Sequence, residues 1–256
     1  MNVLRILLAI PFLFFGVATG RSDEPPLRVL IVTGQDYPGH KWRETTPIVR
    51  SILEQKDYFE VFVSEDVEIL STSLDNRYDV VVLHFCNWES PMPGSAAREG
   101  LQQFVASGKG LVALHFACGA FRKWPDYQEL AWPEYEAIVG RVWDTTKTHD
   151  PYRQFEVRVV NREHPITKGL DHFLITDELY FCLVGSPKID VLLTAHSTVT
   201  NQDEPMGFAL SYQSGRVFHT PLGHDGISFR APGFAPLLQR ACEWAATGDV
   251  TRFKND

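Results

Sequence analysis

Short apolar runs alternate with amphipathic segments through the first half of the chain. The apolar runs are rich in Val, Leu and Ile, as strands buried on both faces are. They comprise residues 27–33, 59–64, 79–85 and 110–115. Between them, Pro47 suits the first turn of a helix that ends near Gln55, and an amphipathic helix over residues 95–107 is followed by Gly108. Strands and helices that alternate at this spacing predict right-handed βαβ units and a mostly parallel sheet.

The pattern changes beyond Trp143, where shorter strands follow one another. Apolar and polar residues alternate over 155–160, as in a half-buried strand. Further strands are predicted over residues 179–184, 191–195, 208–212 and 216–220. A final helix is predicted over residues 233–246. These elements extend the sheet and do not form a second domain, so we predict one α/β domain over residues 27–248, with helices flanking the sheet and a tail at 249–256.

The N-terminal residues have the pattern of an export signal. Arg5 precedes an apolar run over residues 6–17, and small residues follow at 18–20. A charged start, an apolar centre and a small-residue cleavage site are the parts of a secretory signal peptide. A retained membrane anchor is the alternative, but such a helix needs about 20 apolar residues. We therefore expect residues 1–22 to be cleaved and the mature protein to be periplasmic or extracellular, without a membrane partner.

Composition limits the classes of partner. The 256 residues are 44% hydrophobic and 22% charged, which is typical of a globular protein. The net charge of -8 and the lack of Lys/Arg blocks argue against nucleic acid, whose phosphates require clustered cations. A small neutral or cationic molecule is the expected partner. The oligomeric state is open, and a homo-oligomer is one of the alternatives.

The cysteines are expected to be thiols. Cys86, Cys182 and Cys242 lie in apolar stretches, where a free cysteine behaves as a small buried hydrophobe. Cys86 and Cys118 each follow a predicted inner strand, so they are the pair that a disulfide would join in an exported chain. The sequence leaves that pairing open, with free thiols favoured.

Polar residues follow several predicted strands at their carboxyl ends. Ligands of open parallel sheets bind beyond these ends, where the strand order reverses. His40, His115 and His224 follow three separate strands, so we expect them to converge on one site. Other candidate substrate-binding residues at these strand ends are Trp42, Asn87, Trp88 and Asp225.

His115 stands at the apex of a predicted sharp turn. Ala113 and Ala117 lie two residues before and two after it. This spacing is typical of a nucleophile elbow, where a strand turns into a helix with no room for larger side chains. A buried histidine satisfied by the backbone is the alternative, but the turn favours a functional role for His115.

Several motifs in order and spacing together resemble the ThuA-like (trehalose-utilisation) family. They are GLVALH at 110–115, GAF at 119–121, WP at 124–125 with Tyr127, HPIT at 164–167 with Gly169 and Leu170, DELY at 177–180, GRVF at 215–218 and LGH at 222–224. The resemblance covers about residues 28–248. It implies the flavodoxin-like fold of class I glutamine amidotransferases, with His115 in place of their catalytic cysteine and His224 in place of their histidine. Amidotransferase chemistry by that route is therefore not expected.

The resemblance also implies a class of substrate and a carboxylate that belongs to the site. The substrate would be a disaccharide or glycoside, including one oxidised to a 3-keto sugar. Glu178 would reach the histidines, whereas an exposed Asp177–Glu178 pair at the start of a strand is the alternative. We predict acid–base catalysis by His115 and His224, with Glu178 orienting an imidazole or abstracting a proton. If a divalent metal such as zinc is bound, His40, His115, His224 and Glu178 would hold it, although no HExxH or CxxC spacing is present.

Aromatic side chains near these motifs suit a sugar ring. Trp42, Trp88, Phe121 and Trp124 are candidates for a stacking platform, and core packing is the alternative for Phe121. Asp177 is a further candidate contact to the substrate. The histidines predicted to be structural are His84, His164 and His172.

Two other functions remain open. The same pocket would serve a non-catalytic sugar-binding or sensing module, because aromatic rings and histidines also bind sugars. A hydrolase using Cys118 is the other, since Cys118 lies near the start of a helix, where amides can acidify a thiol. His149 lies in a polar loop and is expected to be solvated.

Overall fold

Strands and helices alternate along the chain in the computed structural model, which describes residues 24–122, 131–144, 148–181 and 183–253. The strands are β1 (Leu27–Val32), β2 (Phe59–Ser64), β3 (Val80–Leu83), β4 (Gly110–Leu114), β5 (Arg153–Val159), β6 (Phe173–Asp177), β7 (Asp190–His196), β8 (Asp203–Tyr212) and β9 (Gly215–Thr220). The helices are α1 (Trp42–Leu53), α2 (Ser95–Ala106), α3 (Pro133–Val139), α4 (Gly226–Phe229) and α5 (Phe234–Thr247). Short 3₁₀ helices cover Val67–Ser71 and His115–Gly119.

The described strands form one sheet in the order β2-β1-β3-β4-β9-β8-β7-β5-β6. Neighbouring strands are parallel from β2 to β9 and antiparallel from β9 to β6. The predicted α/β fold with extra strands in the C-terminal half is therefore confirmed, although the sheet is mixed, because the added strands all pair antiparallel, and not mostly parallel as predicted.

The parallel strands are apolar throughout because helices cover both faces of the sheet. Successive residues of a strand point to opposite faces, and Val29 and Leu30 of β1 accordingly enter two different cores. Val29 packs in the core that contains residues of α1 and α5, whereas Leu30 packs in the core that contains residues of α2. In contrast, β5 alternates buried and exposed positions, as predicted for a half-buried strand.

Helix α1 differs from its prediction. It begins at Trp42, before the predicted start at the Thr45–Pro47 cap, so Pro47 lies inside the helix. Trp42 and Thr45 are buried together with Val49, and this apolar face sets where the helix begins.

The predicted strand over residues 179–184 is wrong. Among the described residues there, Tyr180 and Val184 each form a single β-bridge, and the neighbouring strand is β6, paired with β5. Residues Leu179 to Phe181 are apolar because they pack inside the protein, not because they form a ladder. Asp177 consequently ends a strand, and Glu178 follows it, whereas the prediction placed both at a strand start.

The chain beyond α5 packs back onto the domain. Phe253 is buried and stacks on Phe59 of β2 at a ring-centroid distance of 5.6 Å. The predicted signal peptide lies outside the described residues. Within the described ranges, no helix combines the length and apolar character that crossing a membrane requires.

Candidate functional site

The turn after β4 places His115 at the carboxyl edge of the sheet. His115 has a φ of 48°, in the left-handed region that residues other than glycine seldom adopt. Ala113 and Ala117 on either side are fully buried, so the tight packing predicted for an elbow is present. The 3₁₀ helix His115–Gly119 continues directly from this turn.

Three histidines and one carboxylate converge at this edge. His115 Nε2 lies 3.0 Å from His40 Nε2 and 3.7 Å from Glu178 Oε2. His224 Nδ1 lies 3.1 Å from the same Glu178 oxygen. One potential ligand atom from each of the four residues lies within 4.8 Å of the others. We call His40, His115, Glu178 and His224 the histidine–glutamate cluster, and its formation confirms the predicted convergence of the histidines.

Hydrogen bonding fixes the orientation of the His115 ring. His115 Nδ1 lies 2.8 Å from the carbonyl oxygen of Pro221, which can only accept, so Nδ1 carries the proton. His115 Nε2 therefore directs its lone pair into the cluster. The hydroxyl of Tyr180, 2.8 Å away, donates to it. In the sequence, Tyr180 stood out only as part of the DELY motif of the family, and no other feature of the sequence predicted its contact with His115.

His149 contacts Glu178 from the other side. Its Nε2 lies 3.4 Å from Glu178 Oε1, so the expectation of a solvated loop histidine is corrected. A single β-bridge pairs His149 with Tyr180 and thereby brings the loop that contains His149 to the site. Glu178 thus has one oxygen facing His115 and His224 and the other facing His149.

Asp177 organises the backbone beneath the cluster. Its carboxylate accepts hydrogen bonds from the backbone N–H groups of Glu178, Gly223 and His224. Burial raises the pKa of Asp177 to about 7 in spite of these three donors, which oppose the shift. Because Asp177 is completely buried, the structure places it as a support for Glu178 and His224 and not as a contact to substrate.

Burial keeps the inner imidazoles neutral. Desolvation, reinforced by the neighbouring imidazoles, lowers the pKa of His40 to about 3 and that of His115 well below the usual range. Burial alone would also lower the pKa of His224, but the Glu178 carboxylate outweighs it and raises that pKa. The cluster therefore has a neutral floor and a more readily protonated mouth.

Two predicted substrate contacts lie in the protein interior. Asn87 is buried and its side-chain oxygen accepts a hydrogen bond from the backbone N–H of Phe121. The Phe121 ring is buried against Phe85 and Tyr135, which is the core-packing alternative. Trp124, the remaining member of the predicted platform, lies outside the described residues.

Asp225 supports the rim of the site. It accepts hydrogen bonds from the backbone N–H groups of Ile227 and Ser228 at the start of α4, and from the hydroxyl of Tyr152. Tyr152 is 41% exposed, and its ring centroid lies 5.6 Å from that of His224. Tyr152 is thus an aromatic surface at the mouth that the sequence reading missed.

Aromatic rings also flank His40. Tyr37 stacks on Trp88 at a centroid distance of 5.0 Å and on His40 at 5.6 Å. A neighbouring cleft of about 460 Å³ reaches His40. Its lining includes Asp36, Tyr37, Trp42, Arg43 and Glu89. Trp88 and Trp42 therefore lie next to the cluster, although Trp42 itself is buried and donates its indole N–H to Asp36.

The thiols do not suit a nucleophile. Cys86 and Cys118 are separate buried thiols beside the site and do not form a disulfide. Burial raises the pKa of the Cys118 thiol, whereas a nucleophilic cysteine requires a lowered one. The electrostatics therefore oppose the hydrolase alternative.

The histidines predicted to be structural each form a side-chain hydrogen bond. Their partners are Thr45 for His84, the backbone N–H of Ile166 for His164, and the backbone N–H of Val159 for His172.

The fold and the elbow define an α/β protein with a histidine at the apex of a sharp turn at the carboxyl edge of its sheet. A profile of the ThuA family, described as trehalose utilisation, matches residues 28–245. The chain belongs to this family, which supports a carbohydrate-related role. A search of the curated proteins found no match.

Solved structures agree with this assignment. A ThuA-like protein from Parabacteroides merdae is 28% identical with a TM-score of 0.76, over 89% of this chain and 92% of that one. A ThuA-like protein from Bacteroides uniformis is 22% identical with a TM-score of 0.71, over 91% and 97% of the two chains. A cytoplasmic protein from Salmonella typhimurium shares the fold at 14% identity, with a TM-score of 0.60 over 86% and 99%.

Proposed function

We propose that this protein is an enzyme of carbohydrate breakdown that acts on a disaccharide or glycoside, including one that carries a ketone. The observation that carries the proposal is the position of Glu178, whose two oxygens face imidazoles on opposite sides. A carboxylate held among imidazoles suits proton transfer, and membership of the ThuA family supports a sugar as the substrate.

The proposed step is removal of a proton from the carbon next to the ketone. Glu178 takes the proton through Oε1, the oxygen on the His149 side of the site. The electron pair of the broken C–H bond moves into the carbon–carbon bond, and the ketone oxygen gains negative charge. That oxygen faces His224, whose imidazole is the more readily protonated one and can donate a hydrogen bond to it. The enolate is then protonated at another atom or expels the glycosidic oxygen, so the reaction is an isomerisation or an elimination.

The rim supports binding of a sugar. The exposed ring of Tyr152 and the stacked rings of Tyr37 and Trp88 flank the cluster on different sides. Apolar faces of sugar rings stack on such aromatic surfaces, and the adjoining cleft gives room for a second ring. We also propose that the protein acts after export, on the basis of the pattern in residues 1–22; N-terminal sequencing of the secreted form tests this.

The experiment is a screen of glycosides and their 3-keto forms, read by mass spectrometry. We expect product with the wild type and none with the double variant His115→Ala/His224→Ala. His196→Ala is the matched control, because His196 also pairs with a carboxylate, Asp203, but on the surface. Product from the double variant at the wild-type rate would overturn the proposal. Equal sugar affinity of both proteins with no product from either would indicate a binding or sensing module instead.

A further inference from the structure

We propose that the histidine–glutamate cluster binds one divalent transition-metal ion, with zinc as the reference ion. The ligands are His40 Nε2, His115 Nε2, Glu178 Oε2 and His224 Nδ1. The inference deepens the proposed function, since it assigns the polarising group at the same site, and it rests on that function only for the role of the ion.

The spacing of the four atoms fits a single ion. Zinc–nitrogen bonds of about 2.0–2.1 Å in a tetrahedron place neighbouring ligand atoms about 3.3 Å apart. The separations are 3.0 Å between His40 and His115, 3.1 Å between His224 and Glu178, and 3.7 Å between His115 and Glu178. These three distances lie on both sides of the tetrahedral value, and all four atoms lie within 4.8 Å of one another, so side-chain adjustments bring the ligands to one ion.

The lone pair of His115 is already directed inwards. The hydrogen bond from His115 Nδ1 to the Pro221 carbonyl leaves Nε2 unprotonated and facing Nε2 of His40. Metal-bound histidines typically donate their other ring N–H to a carbonyl or carboxylate in this manner. Asp177 supports two other ligands, because it accepts the backbone N–H groups of Glu178 and His224. His115, Glu178 and His224 are thus held by a second layer of hydrogen bonds.

The donor set selects the class of ion. Imidazole nitrogen suits zinc, copper, iron and nickel, and a carboxylate adds the charge that neutralises a dication in part. His40 and His115 form the buried floor, whereas the side chains of Glu178 and His224 are 14% and 20% exposed. An ion held there is therefore open to substrate on the side of the mouth. Such an ion polarises a ketone or hydroxyl oxygen as a Lewis acid.

Tyr180 distinguishes a metal site from a hydrogen-bonded network. Its hydroxyl donates to the same His115 lone pair that an ion would use, so it competes with the ion. A metal site predicts that Tyr180→Phe binds zinc as tightly as the wild type or more tightly. Removing a ligand, as in Glu178→Gln or His224→Ala, predicts weaker binding by more than about tenfold.

The test uses the untagged full-length protein, stripped with a chelator and titrated with Zn²⁺ by calorimetry. We expect one ion per chain by elemental analysis, unchanged affinity in His196→Ala, and the losses stated above in Glu178→Gln and His224→Ala. Co²⁺ added to the stripped protein should give visible absorption bands of a four- or five-coordinate ion, absent in Glu178→Gln. Absence of zinc binding, or equal binding by the wild type and both ligand variants, would overturn the proposal.

Failure of the metal site and failure of the proposed function give different results. Sugar turnover by protein verified to be metal-free would overturn the role of the ion as the polarising group and leave the enzyme assignment standing. One bound zinc ion per chain with no product from any glycoside would support the metal site and overturn the enzyme assignment.

Discussion

The histidine–glutamate cluster contrasts with His84 and His219, two buried histidines in or next to the same sheet that do not belong to the cluster. His84 and His219 are completely buried, as His115 is, and burial lowers the pKa of each to about 4. The imidazole of each of these two histidines has one hydrogen-bond partner, which is the Thr45 hydroxyl for His84 and the Val139 carbonyl for His219. In the cluster, by contrast, the rings point at one another and at a carboxylate. A buried, neutral imidazole is therefore common to both regions, and convergence is what separates a candidate site from a core.

The largest expected difference between the two regions is in turnover. Glu178→Gln keeps the shape of the side chain but removes the base, so we expect turnover of a keto-glycoside to fall by about 10²–10⁴-fold. Steady-state kinetics with circular dichroism to confirm folding measures the effect. The control is His196→Ala, which should retain full turnover; retention by Glu178→Gln as well would remove Glu178 from the mechanism.

A smaller effect is expected from the support beneath the cluster. In Asp177→Asn, an NH₂ group replaces one of the two carboxylate oxygens. At least one of the backbone N–H groups of Glu178, Gly223 and His224 would then face a donor and lose its acceptor. We expect the free energy of unfolding to fall by about 1–3 kcal/mol, with a loss of kcat larger than any change in KM. Urea unfolding and kinetics measure both. Unchanged values would show that Asp177 does not position Glu178 and His224.

His219 should act on stability alone. Burial lowers the folded pKa of His219 from its ordinary 6.5 to about 4, and the charge of Arg141 adds to this shift. Its stabilising effect is therefore complete above pH 6.5 and is lost as the pH falls towards 4, by at most about 1.4 kcal/mol per pH unit. We expect His219→Gln to show a smaller loss of stability than the wild type between pH 7 and pH 5. The same loss in both proteins would contradict this assignment.

The smallest effect is expected at Cys118. Because its thiol is completely buried with a raised pKa, iodoacetamide should leave both the mass and the activity of the native protein unchanged. Inactivation with one adduct at Cys118 would restore the thiol hydrolase as a candidate.

The parallel half of the fold was predictable because its strands are buried on both faces. Continuous apolar runs such as Val80–Leu83 mark these strands directly. The antiparallel half was harder. β6 is short and its outward Leu174 is exposed, so it gave a weaker signal than the apolar residues 179–181, which are buried by packing around the site.

The histidines of the site were predictable and much of their surroundings was not. His40, His115 and His224 follow strands whose ends must meet, so topology alone places them together. His149 comes from a loop whose path depends on a single β-bridge to Tyr180, and Tyr152 is placed by one hydrogen bond to Asp225. Contacts of this kind leave no periodic pattern in a sequence.

The most direct test of the proton-transfer site is hydrogen exchange into a 3-keto glycoside in D₂O, followed by NMR. The wild type should replace the hydrogen on the carbon next to the ketone with deuterium, and Glu178→Gln should leave it in place at the uncatalysed rate. Equal exchange by both proteins, or turnover by the wild type without any exchange at that carbon, would contradict proton abstraction by Glu178.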